Sequence, residues 1–289
     1  MRNSNKLYLA ILLVFALFIC WKIGTAYGTE KPPEIPATEE ELRESFPYLA
    51  IIDMDRETEM TDPVELNLWQ ISDGYEITEA GNYHLTGEMR GTLRINAPEQ
   101  NVHLFLDNAS ITAISGPAIH CQGANRLVIT LLPGTENYIS DSGDYRQETT
   151  AEACIYSENH LTFNGTGELA VNGYYKDAIR SRDIMKILGG DYAIKCKRTA
   201  IHGTDGIVVT GGTFVISSEK VGLKSTKKSP DGRGNIIISG GELSIIAGRY
   251  AFVAEKANLY IYDCTVYERS VMSPYDVAGV VRVQEGCVQ

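Results

Sequence analysis

The chain has 289 residues, a formal net charge of −11, 44% hydrophobic and 22% charged residues. That apolar fraction builds a packed core and excludes wholesale disorder. The acidic total excludes a general nucleic-acid binder, whose footprint is a basic domain.

The charge is unevenly placed. Residues 1–29 carry +3, residues 30–65 carry −9, residues 66–170 carry −9 and residues 171–289 carry +4. The carboxyl-terminal part is therefore basic within an acidic chain.

Leu7 to Ile19 is apolar throughout apart from Tyr8, is preceded by Arg2 and Lys6, and is followed by Trp21 and Lys22. This is the order of an export signal, with an interfacial belt at its far side. Thr25-Ala26-Tyr27-Gly28 is a poor cleavage site. Residues 1–23 are therefore predicted to be an uncleaved signal-anchor that contacts the membrane through residues 7–23, with everything after it outside the cell membrane. Secretion after cleavage is the alternative.

Residues 24–65 form a predicted acidic spacer stiffened by Pro32, Pro33 and Pro36. Thr38-Glu39-Glu40-Glu41 has the pattern of a capping box for one short helix ending near Phe46. The rest of this segment is expected to be an extended, solvated stalk.

Residues 66–289 are a repeat. Strand patterns recur with anchoring residues Ile155, Ile179, Ile201, Leu223 and Phe252, separated by 24, 22, 22 and 29 residues, with an earlier copy at Ile119. In phase with them run turns at Gly165-Thr166-Gly167, Gly189-Gly190, Gly211-Gly212 and Gly240-Gly241. Short alternating strands flank each turn, and no segment between them has a helical period. Three strands per unit of about 22 residues predict an all-β, right-handed parallel β-helix. An antiparallel sandwich would not hold that phase. Trp69–Gly87 is expected to form the amino-terminal cap and first coil, residues 133–151 an inserted polar loop, and the tail after Met272 a carboxyl-terminal cover.

Stacking aligns residues at equal offsets from the anchor. Three positions before it stand Glu152, Lys176, Arg198, Lys220 and Arg249. One position after it stand Tyr156, Arg180, His202, Lys224 and Val253. The second set alternates with buried residues and is expected to point outward, so basic groups about 4.8 Å apart would line one flank. Like charges 4 Å apart repel by roughly 1 kcal/mol in water. A column that costs stability points to an anionic partner. The candidate anion-binding residues are Lys176, Arg180, Arg198, His202, Lys220, Lys224 and Arg249. Tyr156, Tyr174, Tyr175 and Tyr250 are candidates for stacking on sugars, or for covering strand edges.

The phased repeat, with Tyr174-Tyr175-Lys176-Asp177-Ala178-Ile179-Arg180-Ser181 and its Gly-Gly turns, resembles the secreted cellulose- and acidic-sugar-binding β-helix family of cellulolytic clostridia, akin to calcium-dependent pectate lyases. The resemblance covers about residues 68–270 and includes Ile77–Gly87, which looks like that family's cap. It implies a carbohydrate ligand and calcium sites in an Asn/Asp-Asp-Gly-Ile pattern. Here only Asp177 keeps a carboxylate in the matching place. Calcium takes six to eight oxygen ligands, so no cofactor is expected, and calcium at Asp177 would be held weakly. Asp141, Asp144 and Glu148 in the inserted loop are a second candidate ion site.

The expected function is a cell-surface, non-catalytic module for acidic or cell-wall polysaccharide. A structural envelope protein is the alternative. A polysaccharide lyase is the second, with Lys176, Arg180 or Lys224 as base and Asp177 holding calcium. The six cysteines form no CxxC pair, and buried small-residue roles are expected for those in the coils.

Overall fold

The computed structural model describes residues 38–145, 150–228 and 231–289. The proposed anchor at residues 7–23 lies outside the described residues. Among those described, no helix is long and apolar enough to cross a membrane.

The strands pair in parallel throughout two sheets, as in a parallel β-helix. One sheet of nine strands runs from Gly74–Ile77 through Thr92–Asn96, Ile119–Gly123, Ala153–Ser157, Asp177–Ser181, Thr199–Gly203, Val221–Ser225 and Tyr250–Ala254 to Ser273–Val277. The other sheet contains both remaining strand columns of the coil. One includes Arg126–Leu131, His160–Gly165 and Ile184–Ile187; the second includes Glu168–Gly173, Asp191–Cys196 and Thr213–Ser218. The long strand Asn101–Thr112 joins the two columns, because its first half pairs with Arg126–Leu131 and its last residues with Glu136–Ser140. Asn108 turns the corner at φ 53°, a left-handed conformation that asparagine tolerates better than most residues.

The register matches the sequence alignment. Ile119, Ile155, Ile179, Ile201, Leu223 and Phe252 are successive partners and all are fully buried. One coil exposes its apolar side, and only a stacked neighbour covers it, which is why the units come as a series. Full burial of each such side chain contributes roughly 1.5–3 kcal/mol. Tyr192 and Phe214 stack in the same way, ring centroids 4.8 Å apart. At the turns, the second glycine of each pair has positive φ: 96° at Gly190, 101° at Gly212 and 89° at Gly241. The first is held by space, since a Cβ at Gly240 would lie 2.3 Å from the Thr210 carbonyl oxygen.

Several expectations change. Residues 133–151 are not all loop, because Glu136–Ser140 is a full strand of the coil. The tail after Met272 is not merely a cover, because Ser273–Val277 and Val281–Val283 add to the stacked columns. The capping box forms: the Thr38 amide donates to Glu41 Oε2 and the Glu41 amide to Thr38 Oγ1, opening the helix Glu39–Ser45.

The larger correction concerns the stalk. Residues 46–57 are a strap packed on the outer face of one strand column. Leu49, Ala50, Ile51 and Asp55 are buried, and Phe46 meets the Tyr260 ring at 5.5 Å. Lys186, on the strand beneath, is 2% exposed and donates to Asp55 Oδ2 and to the Ala50 carbonyl, both at 2.6 Å. Thr162 donates to Asp55 Oδ1, and Asn164 donates to the carbonyls of Asp55 and Glu57. Burial pushes the Asp55 carboxyl up, yet Lys186, the Ile52 amide and Thr162 outweigh it and hold it below its ordinary value. Net acidity suggested solvation; one acidic residue with a buried lysine beneath it gives a docked segment instead.

Candidate functional site

The nine-stranded sheet carries a groove of about 430 Å3 on its outer face. Arg180, Arg198, His202, Lys220, Lys224, Arg249 and Tyr250 line it. Those seven predicted residues, drawn from four successive coils, therefore meet at one place. Glu152, Glu255, Asp276 and Thr226 also line it, and they were not predicted as part of the site.

The carboxylates change the electrostatics. Glu152, at the first coil of the series, accepts from Lys176 at 2.5 Å, Arg198 at 2.9 Å and Arg180 at 3.2 Å. Burial alone would raise its pKa, but the hydrogen bonds from Lys176 and Arg198 lower it. Lys224 pairs with Glu255 at 2.6 Å. The column is thus not a stack of unbalanced like charges, as its alignment suggested. Lys220 and Arg249 are exposed and have no carboxylate within 4.0 Å among the described residues.

Asp177 is the hub under the groove. It is fully buried, and Arg198 grips it with two hydrogen bonds, Nε to Oδ1 at 2.6 Å and Nη2 to Oδ2 at 2.9 Å. The Thr199 amide donates to Oδ1 at 3.1 Å, and His202 Nδ1 lies 3.2 Å from Oδ2. Burial pushes the carboxyl up, but Arg198 and His202 together hold it at about 2. Burial drives His202 down, although the Asp177 carboxylate works against it.

Two of the residues expected to point outward are nonetheless buried. His202 is only 5% exposed and Tyr156 only 2%. Both alternate with the buried anchors Ile155 and Ile201, and His202 lies against Asp177. Tyr156 contacts the edge of His120 and donates to Glu158, so it offers no open ring to a sugar. Tyr174 is exposed in the turn that leads into Asp177–Ser181, beside Tyr138, the main cause of its raised pKa. Tyr175 stacks on Tyr145 at 4.1 Å, with the Lys176 ammonium 4.8 Å from its ring centre. Of the four tyrosines, Tyr250 alone lines the groove.

The implied calcium ligands do not fit the residues present. Every oxygen of Asp177 is engaged by a cation, histidine or amide. Asp141 is also committed, accepting from the amides of Tyr174 and Gly143 and from the Tyr145 hydroxyl. Glu148 lies outside the described residues. Among the described residues, no group of three or more His, Cys, Asp or Glu side chains is arranged to hold a metal.

With this geometry in place, the chain can be set against known proteins. A family described as carbohydrate-binding domain-containing protein matches residues 72–269, well over half of the sequence. The chain belongs to that family. A carbohydrate-binding domain-containing protein of Acetivibrio thermocellus is 30% identical over 126 residues, covering 42% of this chain and 44% of the relative. The match thus spans less than half of that relative's length. A solved structure of a polysaccharide lyase-like protein from C. thermocellum, a gadolinium derivative, superimposes with a TM-score of 0.72 at 26% identity, covering 75% of this chain and 89% of that one. All seven groove residues named first above lie within the matched region.

Proposed function

We propose that this carbohydrate-binding domain is a non-catalytic module for an acidic polysaccharide, bound along the Lys220 and Arg249 side of the groove. The observation that carries the reading is the pair of cations one coil apart, beside Tyr250, that have no carboxylate within 4.0 Å among the described residues. Lys224, only partly buried, lies on the same flank and adds a third cation once a polyanion competes with Glu255. A uronate chain offers repeated carboxylates to such a row and pyranose faces to the tyrosine. Arg180 and Arg198 are held from behind by Glu152 and Asp177.

The lyase reading has less support. β-Elimination needs a neutral base near the sugar. Lys176 is tied to Glu152, whose hydrogen bond raises its pKa, and Lys224 is tied to Glu255. The proposed setting is the outer cell surface, with residues 7–23 as the membrane anchor.

The test is affinity electrophoresis through polygalacturonate and through neutral cellulose derivatives, at low and high salt. Retardation by polygalacturonate that salt abolishes supports the reading. Retardation only by the neutral polymer, unaffected by salt, overturns it.

A further inference from the structure

Cys264 sits in the turn between the strands Leu259–Ile261 and Thr265–Ser270, and is half-buried against the core. The segment 284–289 turns back on itself, its Cys287 amide donating to the Gln284 carbonyl. It then lies against Thr265–Ser270, the outermost strand of its column. The Val266 amide donates to the Cys287 carbonyl at 2.7 Å, the Gln289 amide donates to the Val266 carbonyl at 2.9 Å, and Val266 pairs with Val288. Cys287 is buried in the same core as Val266. This places the two cysteines beside each other at the same end of the core. The other described cysteines, Cys121, Cys154 and Cys196, are buried on separate strands.

We propose that Cys264 and Cys287 are a disulfide-forming pair that staples segment 284–289 onto the strand Thr265–Ser270. The oxidant is a small-molecule or protein disulfide. Each cysteine gives up its thiol hydrogen, the S–S bond forms, and the oxidant takes the two electrons and two protons and leaves as two thiols. The bond would close a loop of about two dozen residues, which removes freedom from the unfolded chain. It would also secure the short segment that covers an outermost strand, the part of a parallel β-structure most open to pairing with another chain. Burial and the neighbouring Cys287 thiol push the Cys264 thiol up to about 12. The Cys264 thiolate is therefore scarce in the folded chain.

The experiment is to refold the full chain with a mixture of oxidised and reduced glutathione, then map disulfides without reduction. The expected product is a peptide containing Cys264 joined to one containing Cys287, lighter by two hydrogens than the reduced pair. It should come with a melting temperature several degrees above that of the reduced protein. Cys264→Ser and Cys287→Ser should each abolish both the cross-link and the temperature gain. Free alkylation of both thiols, a lasting glutathione adduct on Cys264, or cross-links between chains would overturn the proposal.

Discussion

Asp177, on its strand, and Arg198, in the bend just before the neighbouring strand Thr199–Gly203, form a two-pronged ion pair with bonds of 2.6 and 2.9 Å. Asp177 is wholly buried and Arg198 opens onto the groove, so the pair ties the core of the site to its surface. Arg198 keeps Glu152 as a partner and is partly exposed, so removing Asp177 costs the charged hydrogen bonds between them, about 1.5–3 kcal/mol. Asp177→Ala should lower unfolding free energy in urea by that order. Arg198→Lys should recover part of the charge but lose the fork geometry.

Acid stability follows from the same carboxyl. Its folded pKa of about 2 lies below its ordinary value of 3.8. A depressed carboxylate contributes stability that is fully present above the unfolded value and is lost as pH falls through the folded one. The contribution is on the order of 2 kcal/mol. Stability measured by denaturant titration should therefore fall between about pH 4 and pH 2. Asp177→Asn should flatten that limb and leave a less stable protein at neutral pH.

The strap offers a second test of buried charge. Lys186→Ala leaves Asp55 buried without its ammonium, and should cost about 3–5 kcal/mol. Lys186→Met with Asp55→Leu removes both charges and should cost less than either single change. Limited proteolysis near residue 57 should be faster in the single variants, because the strap lifts first.

Glycan binding should depend on the free cations. Lys220→Ala with Arg249→Ala should weaken retention on polygalacturonate roughly two- to tenfold at low salt, the worth of two exposed ionic contacts. It should also reduce the salt dependence. Lys195→Ala on a different strand column should change neither. Affinity electrophoresis at two salt concentrations checks all three.

Metal should not be needed for the fold. Asp177 and Asp141 spend their oxygens on protein donors. Millimolar calcium or a chelator should leave the melting temperature unchanged, as followed by scanning calorimetry.

The strand register and the groove's location were legible from residue order alone. In a stacked coil, each residue's neighbour is the one at equal offset in the next unit, so Ile179 meets Ile201 and Lys220 meets Arg249 by spacing. The helix cap at Thr38 was legible for the same reason: its partners are three residues apart.

What spacing could not give were contacts set by side-chain reach and chain return. Glu152 stands at the same offset as Lys176 and Arg198, yet nothing in the alignment says that one carboxylate gathers three cations; that depends on how long flexible side chains lean across coils. Asp55 meets Lys186 only because a segment rich in acid folds back onto the barrel-like stack, and Cys287 meets Cys264 only because the tail turns once more. The sequence by itself determined the repeat, its phase and the face on which cations gather, because these are local and periodic. Only the tertiary structure decided which of those cations are neutralised and which stay free, because that choice rests on partners brought from other coils and from a non-repeating segment.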